Sequence, residues 1–271
     1  MQISSPLLPA KRIAIILGCV VVVSAVLCAE STDCGAPVIV IPDGRLSLST
    51  FPQNTLYWYG VYALAGHSYT VEFESAPYNS SSATGAVFSA IAVYGPSDAL
   101  VGCRGVSSVT VTPNDGYSPV IRKSPNGTGR RVSFTGQSAG LYLVSISNVG
   151  NTGPYSFRVT DTTMVNPRWS TYGGYFTHWG LLNVSDMTVT GVFTVYDPSS
   201  KALASILVTL APGTEQFHTS LPSDLNIAPN SAGYATFSHN GPTDAVIGDS
   251  YMVSPSGAII YVSRLARPGG N

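Results

Sequence analysis

The chain has 271 residues, and only 10% are charged, against roughly 25% in ordinary soluble domains. With 44% hydrophobic residues, so little charge excludes a disordered chain, which is apolar-poor and charge-rich, and long solvated helices or coiled coils, which need Glu, Lys and Arg. A net charge of −1 leaves no basic footprint for nucleic acid, and 27 Gly with 19 Pro point to β-sheet broken by many turns.

The first element is an address. Lys11 and Arg12 precede an apolar run from Ile13 to Leu27, and Ala29 precedes Glu30. A basic start, an apolar stretch of roughly 15 residues and a small residue at the break read as a secretory signal peptide over residues 1–29. The alternatives are an uncleaved anchor, for which the run is short against the roughly 20 residues a span needs, and lipidation at Cys19 or Cys28. Removal of residues 1–29 takes Lys plus Arg from 13 to 11, leaves Asp plus Glu at 14, and gives a net charge of −3. Of four cysteines, Cys34 and Cys103 remain. In a secreted or periplasmic protein this pair is a candidate disulfide, contributing on the order of 4 kcal/mol by chain entropy. The mature chain has no second apolar stretch long enough to be a transmembrane segment.

Period-2 alternation then recurs, and no window of helical period stands out. The strands expected in the first unit are 56–64, 68–74, 86–94, 107–111, 131–135, 141–147 and 155–160, with Gly, Pro and Asn clusters between them. The segment Asp161–Pro167 breaks the alternation and reads as a short hinge, with Trp169 expected near the junction and packed against one or both units. A second set follows at 172–183, 188–196, 204–210, 214–219, 232–238, 245–253 and 259–265. The expected fold is all-β: two tandem β-sandwich domains of jelly-roll or Ig-like type, residues 30–163 and 164–271, after the signal peptide.

The first unit has a recognisable grammar. Tyr57-Trp58-Tyr59 leads into Ala65-Gly66-His67-Ser68-Tyr69-Thr70-Val71. Later come Ala139-Gly140-Leu141-Tyr142-Leu143-Val144 and Gly153-Pro154-Tyr155-Ser156-Phe157-Arg158-Val159. Over roughly residues 45–160 this resembles the bacterial pre-peptidase C-terminal (PPC) domain, a jelly-roll-like sandwich. The resemblance implies a turn glycine at Gly66 and Gly140 with φ > 0, and a Tyr hydroxyl reaching backbone just after each. Some members of that family bind calcium through acidic loops and attach exoenzymes to polymers such as collagen. Acidic residues are sparse here and do not match those ligands one by one, so no cofactor and no metal ligand is assigned, and calcium stays a family implication. The second unit resembles no named family.

Little in the chain carries chemistry. Gly136-Gln137-Ser138-Ala139-Gly140 matches the nucleophile-elbow string, but a strand is expected after it where the elbow needs a helix, so Ser138 reads as a turn residue. Gly248-Asp249-Ser250 is string-like inside an apolar alternation and reads as strand. His67, His178, His218 and His239 form no local metal spacing. The aromatics are the one excess. Tyr57 and Tyr59 share one strand face and Trp58 and Tyr62 the other. In the second unit Tyr175 and Trp179 share a face, and Tyr172, Phe176 and His178 share the opposite one. Exposed aromatics stack on sugars or pack against protein, so Tyr57, Tyr59, Tyr172, Tyr175 and Trp179 are the candidate ligand-binding residues.

The chain therefore reads as an exported, non-catalytic binding or adhesion protein, not an enzyme. Its expected partner is an extracellular polysaccharide, a surface glycan or a surface protein. A secreted hydrolase assembled from scattered His, Asp and Ser of the second unit is one alternative. A structural envelope or filament subunit is the other, since low charge permits exposed strand edges.

Overall fold

The computed structural model describes residues 30–75, 88–95, 112–114, 128–148 and 152–267. The expected signal-peptide segment, the strand expected at 107–111 and Cys103 lie outside them. Every regular element except one three-residue 3-10 turn, Tyr172–Gly174, is a strand. The strands are β1 Val38–Val40, β2 Ser47–Phe51, β3 Thr55–Ala63, β4 Ser68–Ser75, β5 Phe88–Tyr94, β6 Thr112–Asn114, β7 Thr128–Thr135, β8 Gly140–Asn148 and β9 Gly153–Asp161. They continue with β10 Thr163–Ser170, β11 Phe176–Asn183, β12 Val189–Tyr196, β13 Ala202–Leu210, β14 Glu215–Thr219, β15 Ala232–His239, β16 Val246–Val253 and β17 Ile259–Leu265.

These strands build four sheets, which pack in pairs. Sheet β2-β9-β4-β7-β6 faces sheet β1-β3-β8-β5, and sheet β10-β15-β12-β13 faces sheet β14-β11-β16-β17. Only β1–β3 is a parallel pair among the described ladders. The alternation within each strand selects its core face. In the first sandwich Tyr59, Val61 and Val144 of one sheet meet Val71, Phe73, Phe157 and Val159 of the other. Tyr59 stacks on Phe157 at 4.4 Å and Phe73 on Tyr155 at 4.9 Å. In the second, Phe193, Phe237 and Trp169 meet Trp179, Leu181 and Leu265. Full burial of each such side chain contributes about 1.5–3 kcal/mol.

The corner grammar of the first unit has a physical basis in hydroxyl bonds. The backbone N–H of Leu64 donates to the Tyr69 hydroxyl at 2.8 Å, and that of Gln137 donates to the Tyr142 hydroxyl at 3.0 Å. Each ring lies in the core while its hydroxyl ties a turn that would otherwise leave backbone groups unpaired. Gly66 holds φ at +76°, as a left-handed turn requires. Gly140 also has a positive φ, 158°, but this is close to extended strand, and it pairs with Ala63 in the ladder rather than forming the turn. Ser138 is exposed on the bend before β8, where a strand follows and no helix, so the elbow geometry is absent.

The expected hinge is replaced by strand. Only Thr162 separates β9 from β10, and the expected breaker Pro167 lies inside β10. Proline is tolerated there because β10 ends its sheet and its register shifts between Asn166 and Trp169. Trp169 packs against one of the two units. It is fully buried in the second core, and its indole N–H lies 3.1 and 3.0 Å from the carbonyls of Tyr196 and Tyr234.

What joins the two sandwiches is a buried polar seam. The outer face of β4, β7 and β9 meets the 238–243 segment. Thr70 and Ser133 hydroxyls donate to the carbonyls of Gly241 and Asn240, at 3.0 and 2.9 Å. Thr162 Oγ1 lies 2.6 Å from the His239 carbonyl. Thr243 Oγ1 donates to Glu72 Oε2 at 3.0 Å and lies 2.6 Å from Thr160 Oγ1. Glu72, fully buried, accepts from Arg158 Nε at 2.5 Å. Buried polar groups must be paired to avoid a desolvation cost of about 1–3 kcal/mol each, so these bonds hold the two bodies in one orientation.

Candidate binding face on the second sandwich

Three of the five aromatic candidates are core residues, not surface ones. Tyr57, Tyr59 and Trp179 are 5%, 1% and 0% exposed. The reason is parity. The core takes Tyr57, Tyr59 and Val61 of β3, which leaves Trp58 half-buried and Tyr62 exposed on the other face. Trp179 points inward, with its indole N–H donating to Asn166 Oδ1 at 3.2 Å. Tyr172 is exposed and Tyr175 half-buried, both at the 3-10 turn leading into β11. Cys34 is buried near the N-terminal end of the described residues, and its expected partner Cys103 lies outside them.

The histidines do not converge. His67 pairs through Nδ1 with Asp161 Oδ2 at 2.7 Å, and among the described residues no hydroxyl is bonded to its other nitrogen. His178 lies on an outer sheet face, stacked on Tyr251 at 4.7 Å, and partial burial lowers its pKa. His218 stacks on Phe193 of the core at 5.9 Å. His239 is buried at the seam, where its Nδ1 accepts the Gly241 N–H at 3.1 Å. Desolvation, followed by the nearby Arg267 and Arg131, pushes its pKa down to about 3. Among the described residues no group of three or more His, Cys, Asp or Glu is placed to hold a metal ion.

A different constellation forms on the outer face of sheet β14-β11-β16-β17. Trp179 and Leu181 of β11 point inward, so Gly180 and Leu182 face out. Register places Phe217 of β14 opposite Gly180, and Asp249 of β16 opposite it on the other side. Arg264 of β17 is opposite Asp249 in turn. A Cβ at position 180 would lie 2.7 Å from Asp249 Oδ1, 3.2 Å from Glu215 Oε1 and 3.3 Å from Phe217 Cε1. The missing side chain thus makes a saddle. The Phe217 ring leans across it and stays 56% exposed, with carboxylates of Glu215 and Asp249 beside it. Both carboxylates are exposed on an open sheet.

Apolar and aromatic rows flank this polar stripe. On one side Leu182 is opposite the exposed Ile247. On the other, Phe176 lies edge-on to His178 at 5.1 Å, and Val262 is opposite Tyr251. An exposed ring face beside paired acceptors and a guanidinium can stack on a C–H-rich surface while accepting hydroxyl hydrogens. Of these residues, sequence reasoning singled out Asp249, as part of a string, and Phe176 and His178, on the face opposite Trp179. The available signal was Gly180 itself, since a glycine inside a strand marks a close approach by another group.

No family model matches the chain, and no curated protein matches it. Among solved structures, one that is similar is the full extracellular region of zebrafish Gpr126/Adgrg6. It shows 10% identity and a TM-score of 0.20 over 87% of this chain and 34% of that one. This chain spans about a third of that structure's length, and a likeness so slight transfers neither fold nor function.

Proposed function

We propose that the protein is an exported, non-catalytic binding protein that recognises an extracellular saccharide polymer through the outer face of sheet β14-β11-β16-β17. The observation that carries this reading is the exposed Phe217 ring lying over Gly180 between the Glu215 and Asp249 carboxylates. A sugar ring offers one apolar face to the aromatic and equatorial hydroxyls to the flanking acceptors, and Arg264 supplies a donor on the same row. Binding is favoured over hydrolysis because glycosidic cleavage needs one carboxylic acid kept protonated by an apolar pocket, and this face is open to water. The separate positions of His178, His218 and His239 support the same choice. The first sandwich, with its PPC-like corners, serves in this reading as the rigid body that presents the second.

A glycan array probed with the exported chain tests the proposal, followed by titration of the best ligand. Phe217→Ala is expected to weaken binding at least about tenfold, the loss of roughly 1.4 kcal/mol of stacking. Asp249→Ala is expected to weaken it similarly, and Tyr62→Ala on the first sandwich to leave it unchanged. Retained affinity in Phe217→Ala refutes the site. An array with no saccharide bound, together with capture of a surface protein that Phe217→Ala abolishes, replaces the ligand class and keeps the face.

A further inference from the structure

We infer that the protein self-associates as a two-fold dimer by pairing the outer edge of β13 with the same edge of a second copy. β13 reads Ala-Leu-Ala-Ser-Ile-Leu-Val-Thr-Leu and is an end strand of its sheet. Natural edges are blunted by charge, proline, bulges or a covering segment. This strand has no charged residue, no proline and no glycine. Its one irregularity is at the N-terminal end, where Val195 and Tyr196 pair with Ala204 and Ala202 and bypass Leu203. From Ser205 to Leu210 the ladder to β12 is regular. Among the described residues no strand pairs with its other side.

The other free edges of this sandwich are managed. The β10 edge is bridged to the chain after β17 by reciprocal backbone bonds between Val165 and Ala266, at 2.8 and 3.0 Å. The β14 edge carries Glu215 and His218, and β17 carries Arg264. On β13 the carbonyl of Thr209 accepts from Gln216 Nε2 at 2.8 Å. This amide donor stands where the N–H of a neighbouring strand would sit.

The chemistry of the edge identifies the occupant as a second copy. Thr209 sets the parity: Ser205, Leu207 and Thr209 direct their backbone groups outward. An antiparallel pair centred on Ile206 then places Ser205 opposite Leu207 of the other copy, and each pair exchanges two main-chain bonds. Every apposed residue is apolar or a hydroxyl, so the two-fold brings no like charges together. Leu207, at 73% the most exposed large hydrophobic side chain among the described residues, meets its own copy diagonally across the axis. On the inner side Ile206, already packed against the core, meets Ile206 and continues that core across the junction. The dimer would join the sheets opposite the Phe217 face and leave both faces open, so two weak sites would act on one polymer with avidity.

Sedimentation velocity of the exported chain over a concentration series tests this inference independently of any ligand. The parent is expected to sediment as a dimer. Leu207→Lys, which sets two like charges beside the axis, and Ser205→Pro, which removes an outward N–H, are each expected to halve the apparent mass. Leu64→Lys, an exposed apolar site on the first sandwich, is expected to stay dimeric. Melting curves verify that each variant is folded. A parent that is monomeric throughout the series overturns the inference, as does a Leu207→Lys variant that remains a dimer.

Discussion

Glu72→Gln is the most searching perturbation of the seam. The Glu72 carboxylate is wholly buried, bonded by Arg158 and by Thr243 across the two sandwiches. It also supplies the largest opposing influence on Arg131, whose pKa burial lowers. Arg131 is itself buried, with Nε and Nη1 unpartnered among the described residues and Nη2 directed at Met187 Sδ, at 3.0 Å. Glutamine keeps the shape and an oxygen for Thr243, so the change isolates the charge. Removing one partner of a buried ion pair costs about 3–5 kcal/mol, because the guanidinium left behind is uncompensated. For a chain of this size each kcal/mol shifts the melting temperature by about 2–4 °C, so the expected fall is about 6–20 °C. Calorimetry at neutral pH should show a single transition in the parent, since the seam couples both cores, and a single, lower one in Glu72→Gln. A shift under about 2 °C would mean that the seam carboxylate is solvated and that its loss leaves no buried charge uncompensated. Two separated transitions in the parent would show that the seam does not couple the sandwiches.

Three further outcomes follow from the same structure. His239 is neutral in the folded seam down to about pH 3 but titrates near 6.5 when unfolded. The unfolded state therefore binds the extra proton between those values, and stability is complete above about pH 6.5 and lost as the pH falls, by at most about 1.4 kcal/mol per unit. Urea titrations at pH 7 and pH 5 measure this loss, and His239→Gln, which keeps an acceptor for the Gly241 N–H, should flatten it; an unchanged slope would contradict the assignment. Trp169→Ala should cost about 3–5 kcal/mol, from the second core and not the junction, read as a lower urea midpoint. Ser138→Ala should change stability by less than about 0.5 kcal/mol. Tyr142→Phe, which strips the hydroxyl from the Gln137 corner, should cost about 1–3 kcal/mol, and equal midpoints for the pair would refute the corner's role.

The strands were largely legible because alternation is a strong signal, and 13 of those seen start or end within a residue or two of the expected bounds, as at β4, β12 and β17. The elements missed have specific causes. β1 and β2 are short and precede the aromatic strand, so their alternation is weak. β10 was hidden by Pro167, which reads as a breaker unless the edge position and the register shift are known. For the site, period 2 divides Tyr57 and Tyr59 from Trp58 and Tyr62 but does not say which pair the opposing sheet covers. Only packing against Phe51, Phe73 and Phe157 decides that. The Phe217 saddle joins residues from four strands through cross-strand register, and no local window contains more than a fragment of it.

Amide chemical-shift mapping of the isotope-labelled protein, titrated with the saccharide that ranks first on the array, tests the proposed face most directly. Perturbations are expected to saturate, to cluster on Gly180, Glu215, Phe217, Asp249 and Arg264, and to vanish in Phe217→Ala. Perturbations confined to the first sandwich, or a saccharide that shifts those five amides no more than the rest of the chain, would contradict it.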